Sequence, residues 1–273
     1  MAHILIYVSS ANKIPLREGT SSDTGIFLGE LTLPLMPLYE AGHVFTFITP
    51  DGKAPTIDQN SYHLLYWKFS KKKRNKAIHF LKALENSGLN APLKATEIAS
   101  NESQLESYSG LFIPGGHAPM TDIVFENWFD SNEFNRSTGE ILSHFHMHRK
   151  PITAICHGVA ALAAAPEHGG KWLYNGYQMT CITMMAEWLA EDMPFFKTLK
   201  GHMRDYPTHI LQRKGAVIQQ KNIPFLSQVV EDQELITAQD PFAAEELGKQ
   251  LKIKIDNYLQ EKGNEVSSQT NTF

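Results

Sequence analysis

Cysteine is scarce in this 273-residue chain, where Cys156 and Cys181 are the only two. Two thiols are too few for a disulfide framework or a structural zinc site, so the question they raise is one of reactivity. A basic surplus is missing as well. Lys and Arg number 25 against 29 Asp and Glu, a formal charge of -4, which leaves no excess cation for gripping a phosphate backbone and argues against nucleic acid as a partner. No stretch nears the roughly 18 uninterrupted apolar residues of a membrane span. The opening MAHILIYVSSANK has no basic segment before its strand-length apolar run and no persuasive cleavage site after it, so a cytoplasmic setting is expected, away from membranes. Internal repeats are also absent.

What remains is a globular composition, 42% apolar and 20% charged, in a chain long enough for one large domain. His3 to Ser10 reads as a strand, Gly25 to Ala41 as an apolar segment of helical length despite two prolines, and His43 to Thr49 as a strand again. Strand, helix, strand at this spacing implies parallel strands joined by a right-handed crossover, hence a doubly wound sheet. Residues 61–108 break the rhythm and are read as an inserted cap. Within it Lys71-Lys72-Lys73-Arg74 is a solvated face and Ala77 to Leu84 has a helical apolar stripe.

The alternation resumes with a strand at Leu111 to Ile113 and a helix carrying Phe134, Ile141, Leu142 and Phe145 on one face. Ile152 to Ile155 and Tyr177 to Ile182 read as further strands, and Tyr206 to Lys214 as a helix stopped by Gly215. Leu235 to Ala238 is a last strand, followed by a helix from Pro241 through Leu247, Leu251 and Ile255. Residues 1–262 are thus expected to form one α/β domain, with 263–273 as a loose polar tail.

Cys156 sits where the β-branched run PITAI gives way to the helix-forming VAALAAA. A small residue two places before it and Gly158 two after it suit a tight strand-to-helix elbow, which holds a nucleophile outward in a strained conformation. A helix N-terminus there would lower the thiol pKa. Taken alone, the motif leaves two readings open, a reactive cysteine or a buried apolar one. Pro114-Gly115-Gly116-His117 ends another strand, and the amides of Gly116 and His157 could together bind a developing oxyanion.

The strand-end PGGH, the elbow AICHG and the early TGIFLGE with Glu30 in an apolar helix together resemble the ThiJ/PfpI superfamily, and within it the glutamine-amidotransferase-like branch of glyoxalase III enzymes and stress chaperones. Pro50-Asp51-Gly52, Asn175-Gly176-Tyr177 and Asp240-Pro241-Phe242-Ala243-Ala244 support the likeness, which spans about His3 to Leu259. It implies a flavodoxin-like, mostly parallel α/β sheet with helices on both faces. It also implies Cys156 as nucleophile, Glu30 directed at its sulfur, and a carboxylate that orients His157. Counting along the chain gives that carboxylate as Glu187, with Glu191 and Asp192 as near rivals, while Gly115, Gly116 and His117 would bind substrate or oxyanion.

The activity implied is conversion of methylglyoxal or a related 2-oxoaldehyde to a 2-hydroxy acid, without a cofactor. A cysteine amidase or peptidase, and a holdase for unfolded protein clients, are the alternatives, and a homodimer is the expected assembly. Some relatives carry a metal through a histidine about two turns into the first helix. Pro34 to Tyr39 offers no such ligand, so no metal is expected.

Overall fold

The computed structural model describes residues 1–127, 130–194, 197–223 and 226–270, with the backbone alone for 130–132 and 265–270. Seven strands form the central sheet: β1 (His3–Tyr7), β2 (Val44–Thr49), β3 (Leu93–Lys94), β4 (Gly110–Ile113), β5 (Ile152–Ile155), β6 (Val229–Asp232) and β7 (Leu235–Ala238). Their spatial order is β6-β7-β5-β4-β1-β2-β3, every neighbouring pair parallel except β6–β7. The chain builds outward from β1 to β3, then returns to the other side of β1 with β4. The sheet's switch point therefore lies between β1 and β4, the place where open α/β sheets hold ligands at the carboxyl ends of their strands.

Both sheet faces are covered, which is why the inner strands β1, β4, β5 and β7 are mostly apolar rather than alternating with polar residues. Along β1, Ile4 and Ile6 enter one core while Leu5 and Tyr7 enter the other, as the two-residue period of a strand requires. The first core is closed by α1 (Leu28–Glu40), by α2 (Lys71–Leu84) and by a long helix from Ala244 to Thr270, through residues such as Leu31, Leu35, Phe80, Leu247 and Leu251. The second is closed by a helix from Arg136 to Met147 and one from Pro207 to Lys214, through Ile141, Leu142, Phe145 and Leu211.

Further helices, labelled in chain order, are α3 (Glu102–Glu106), α4 (Arg136–Met147), α5 (Met184–Asp192), α6 (Pro207–Lys214) and α7 (Ala244–Thr270), beside short helical turns at Ala95–Ala99 and Pro119–Asp122. No described helix is long and apolar enough to cross a membrane.

Several sequence expectations shift. Phe134 is not on α4 but on a hairpin strand, Asp130–Phe134, where it stacks on Phe125 with ring centroids 5.4 Å apart. The helix starts only after Asn135, whose side chain accepts from the Thr138 amide at 3.1 Å and caps it. Tyr177 to Ile182 does not join the main sheet, because β7 takes the position beside β5. Only Gln178–Met179 is extended, pairing with Val217–Ile218. The supposed tail is helical as far as Thr270, and residues 271–273 lie outside the described residues. The edge strands β3 and β6 carry no signal strong enough to be read from sequence, being two and four residues long, the first exposed and the second mostly half-buried.

Residues 59–67 form two short 3₁₀ turns, pinned by the Trp67 indole donating to the Ser61 carbonyl at 2.9 Å. They bring Leu65 and Tyr66 to the carboxyl end of the sheet.

Candidate active site

Cys156 follows β5 directly with φ of 58°, a left-handed conformation that strains a residue bearing a side chain. The 3₁₀ helix Cys156–Ala164 begins at the same residue and is buried along its length. The elbow expected from sequence is therefore present in its backbone angle. Gly115 makes it possible. A Cβ at that position would lie 2.6 Å from the Ile155 carbonyl oxygen and 2.8 Å from the Cys156 Cβ, and would overlap the Glu30 carboxyl. Gly116, at φ 95°, turns the chain away, and the Gly115 carbonyl accepts from the Phe27 amide at 3.2 Å, which fixes the start of α1 against the strand end.

Glu30 lies in the first turn of α1, fully buried, its carboxyl beside the Cys156 thiol. Burial pushes its pKa up to about 8, partly offset by the thiol and by the Gly116 amide, so it carries a proton at neutral pH. Neither carboxyl oxygen has a partner in good hydrogen-bond geometry.

His157 Nδ1 is 3.3 Å from Cys156 Sγ, and its Nε2 is 3.0 Å from Glu187 Oε1. Burial depresses the imidazole to about 3, leaving it neutral, and raises Glu187 to about 7. Glu187 is delivered by the first turn of α5, which Thr183 caps by accepting from the Ala186 amide at 3.1 Å. The rivals face elsewhere. Glu191 accepts from the Met203 amide and the Tyr206 hydroxyl, each at 2.8 Å, and Asp192 lies 3.1 Å from His202 Nε2. The His117 ring lies tilted against that of His157, 4.3 Å between centroids, and burial depresses its pKa to about 3, which leaves it neutral.

The thiol itself departs from expectation. Burial first, and then the charges of Glu30, Glu187 and Asp240, push the Cys156 pKa well above its ordinary value. The helix terminus expected to lower it is outweighed, so the resting group is a thiol and needs a base. His157, neutral and with Nδ1 toward the sulfur, is placed to be one.

A cavity of about 130 Å³ opens on these groups, with Tyr66, Met185, Ile223, Asp240 and Phe242 among its walls. Sequence reasoning assigned no role to Tyr66 or Asp240. Tyr66 comes from the 3₁₀ turns at 59–67, where nothing in the sequence pattern marks it. Asp240 stands in a stretch that carried the family likeness, and its buried side chain caps the turn before α7 by accepting from Phe242 N at 2.9 Å.

A family model described as "ThiJ/PfpI family-like" matches residues 21–211, which hold Glu30, the glycine pair, the elbow and Glu187. The chain belongs to the ThiJ/PfpI family. Among curated ThiJ/PfpI relatives, protein/nucleic acid deglycase HchA of Escherichia coli O157:H7 is 26% identical over 246 residues, covering 90% of this chain and 78% of that one. Protein/nucleic acid deglycase 1 of Escherichia coli K12 matches over the same shares at 26%.

Solved structures show the same ThiJ/PfpI fold. The 24 kDa rapid encystment protein of Francisella tularensis superposes with a TM-score of 0.72 at 21% identity, covering 93% of this chain and 99% of that one. Glyoxalase III from Candida albicans gives 0.68 at 18%, covering 93% and 97%.

Proposed function

We propose that this protein is a cofactor-independent glyoxalase III-type enzyme, converting methylglyoxal or a related 2-oxoaldehyde to a 2-hydroxy acid, D-lactate in the first case, with stress protection as its cellular sense. The observation that carries the reading is a buried, protonated Glu30 lying against a cysteine whose other neighbour is a neutral imidazole. Acyl transfer needs a nucleophile, a base and an orienter. An isomerisation that moves a proton between adjacent carbons needs a further proton carrier beside the sulfur, and Glu30 is that group. The names borne by the Escherichia coli relatives and the Candida albicans structure support the reading.

In the proposed sequence His157 Nδ1 takes the thiol proton while Glu187 stabilises the imidazolium. The sulfur attacks the aldehyde carbon, and the developing oxyanion is held by the backbone amides of Gly116 and His157 until the imidazolium protonates it. The protonated Glu30 carboxyl gives its proton to the ketone oxygen while its other oxygen takes the proton from the hemithioacetal carbon, giving an enediol; it then delivers that proton to the neighbouring carbon and takes up the hydroxyl proton of the sulfur-bearing carbon, ending protonated as it began. The product is a thioester of the 2-hydroxy acid, which water cleaves to regenerate the thiol.

The same cysteine, histidine and glutamate suit an amidase. The small apolar-walled cavity favours a compact substrate over a peptide. Incubating the protein with methylglyoxal and assaying D-lactate tests the proposal: product from the parent and none from Cys156→Ala is expected. No product, or equal product from both, overturns it.

A further inference from the structure

Two groups of side chains among the described residues bring three possible ligand atoms within 4.8 Å of one another, Glu102 with His144 and His148, and His117 with His157 and Glu187. Hydrogen bonding separates them. In the first, His144 Nδ1 lies 2.9 Å from Glu102 Oε1 and His148 Nδ1 lies 3.0 Å from Glu106 Oε2. His144 is buried between α3 and the rest of α4.

The ammonium of Lys150, itself buried, is 3.1 Å from His144 Nε2 and 3.0 Å from Glu106 Oε2, and donates to the carbonyls of Leu105 and Glu106. An ammonium has only protons to give. The nitrogen facing it is therefore the one with the lone pair, and Nδ1 carries the proton that points at Glu102. This group already has its cation, and its ligand nitrogen is spent.

The second group is in the opposite state. His117, His157 and Glu187 are each more than nine-tenths buried. His157 Nε2 and both Glu187 oxygens have no hydrogen-bond partner in good geometry, although Nε2 and Oε1 are only 3.0 Å apart. Buried polar atoms are normally paired, and orphans call for an explanation. Two uncharged imidazoles and a carboxyl group, converging beside the cavity, form a donor set suited to zinc and similar ions. The set differs from one built on the first helix, which has no histidine here.

We propose that His117, His157 and Glu187 bind a divalent ion of the zinc class, and that the bound ion switches the cysteine chemistry off. The ion takes the lone pair of His157 Nε2. The single proton of the neutral ring then resides on Nδ1, the nitrogen that must be free to accept the thiol proton. With Nδ1 protonated, Cys156 has no base. This second step rests on the reading of His157 as that base, whereas the binding step does not.

The test titrates Cys156→Ala protein with cobalt(II) chloride, followed by visible absorption, and with zinc chloride, followed by calorimetry. One equivalent is expected, with nitrogen/oxygen bands and no thiolate charge-transfer band. Adding His117→Ala or Glu187→Gln weakens it at least about tenfold, while adding His148→Ala leaves it unchanged. Folding of each variant is checked by its thermal transition.

Absence of binding, binding indifferent to both site variants, or loss on His148→Ala overturns the site. In the parent, zinc suppresses methylglyoxal turnover and EDTA restores it. Turnover that persists with the site filled overturns the switch. A parent with no turnover under any condition overturns the proposed function and leaves the cobalt result to stand or fall by itself.

Discussion

Gly115 and Cys156 approach so closely that a methyl group on the glycine would lie 2.8 Å from the cysteine Cβ. The same methyl would press on the Ile155 carbonyl oxygen at 2.6 Å, so a backbone group and a Cβ, neither free to swing aside, would have to move, and the Glu30 carboxyl would be displaced. Gly115→Ala is expected to cost about 1–3 kcal/mol of stability in a denaturant titration, as overpacking does. Because it separates Glu30 from the sulfur, it should also lower turnover by about 100-fold. A variant with parental stability and rate would show that the contact is not needed.

Thiol alkylation and turnover should respond oppositely to Glu30→Gln. In the parent, Glu30 ionises near pH 8 and its charge then opposes formation of the neighbouring thiolate. Removing that charge should speed iodoacetamide modification of Cys156 at pH 9 and change little at pH 6, where the parent carboxyl is already neutral. Turnover should fall by about 10² to 10⁴, the usual worth of a general acid–base group. Alkylation that slows at pH 9 would mean that Glu30 assists ionisation instead of resisting it.

Stability should peak on the acid side of neutrality. His117 and His157 have folded pKa values near 3, below the ordinary 6.5, so as pH falls below 6.5 the unfolded chain takes up protons that the folded one refuses, and stability is lost. Glu30 and Glu187 behave in the reverse sense. Their folded values, about 8 and 7, exceed the ordinary 4.5, so as pH rises above 4.5 the unfolded chain sheds protons the folded one retains, and stability again declines. The two effects oppose each other between pH 4.5 and 6.5, which places the maximum there. Glu30→Gln removes one alkaline contribution, worth at most about 1.4 kcal/mol per pH unit up to pH 8. Thermal melts from pH 4 to 9 check this, and a parent whose stability climbs through pH 8 contradicts it.

The parts of the site legible in sequence are those that local chemistry dictates. The elbow required small residues around Cys156, the strand-end glycines required close approach, and a glutamate among Ile26, Phe27, Leu28 and Leu31 announced burial. Short apolar, β-rich runs were enough for β1, β2, β4, β5 and β7, because their residues face two continuous cores. What depended on distant partners was hidden. The thiol's raised pKa comes from burial first and then from carboxyl groups contributed by α1, by α5 and by the residues after β7, which no local pattern brings together. Tyr66 reaches the cavity only because the 3₁₀ turns at 59–67 fold back over the sheet.

Glu187 and Glu191 lie one helical turn apart on α5, are both buried, and should separate cleanly in function. Glu187 faces His157, and in Glu187→Gln the imidazolium formed during attack loses its counter-charge. A fall in kcat of about 10² or more is expected, with little change in KM, because the interaction strengthens only as charge develops. Glu191 instead accepts from the Met203 amide and the Tyr206 hydroxyl, tying the chain after α5 to the start of α6. Glu191→Gln should lower stability by about 1–3 kcal/mol through weakened buried hydrogen bonds, while the folded variant keeps kcat within a few-fold of the parent. Steady-state kinetics and denaturant melts on the two variants decide the matter. If Glu191→Gln proves the slower enzyme and Glu187→Gln the less stable protein, the carboxylate that orients His157 has been assigned to the wrong turn of α5.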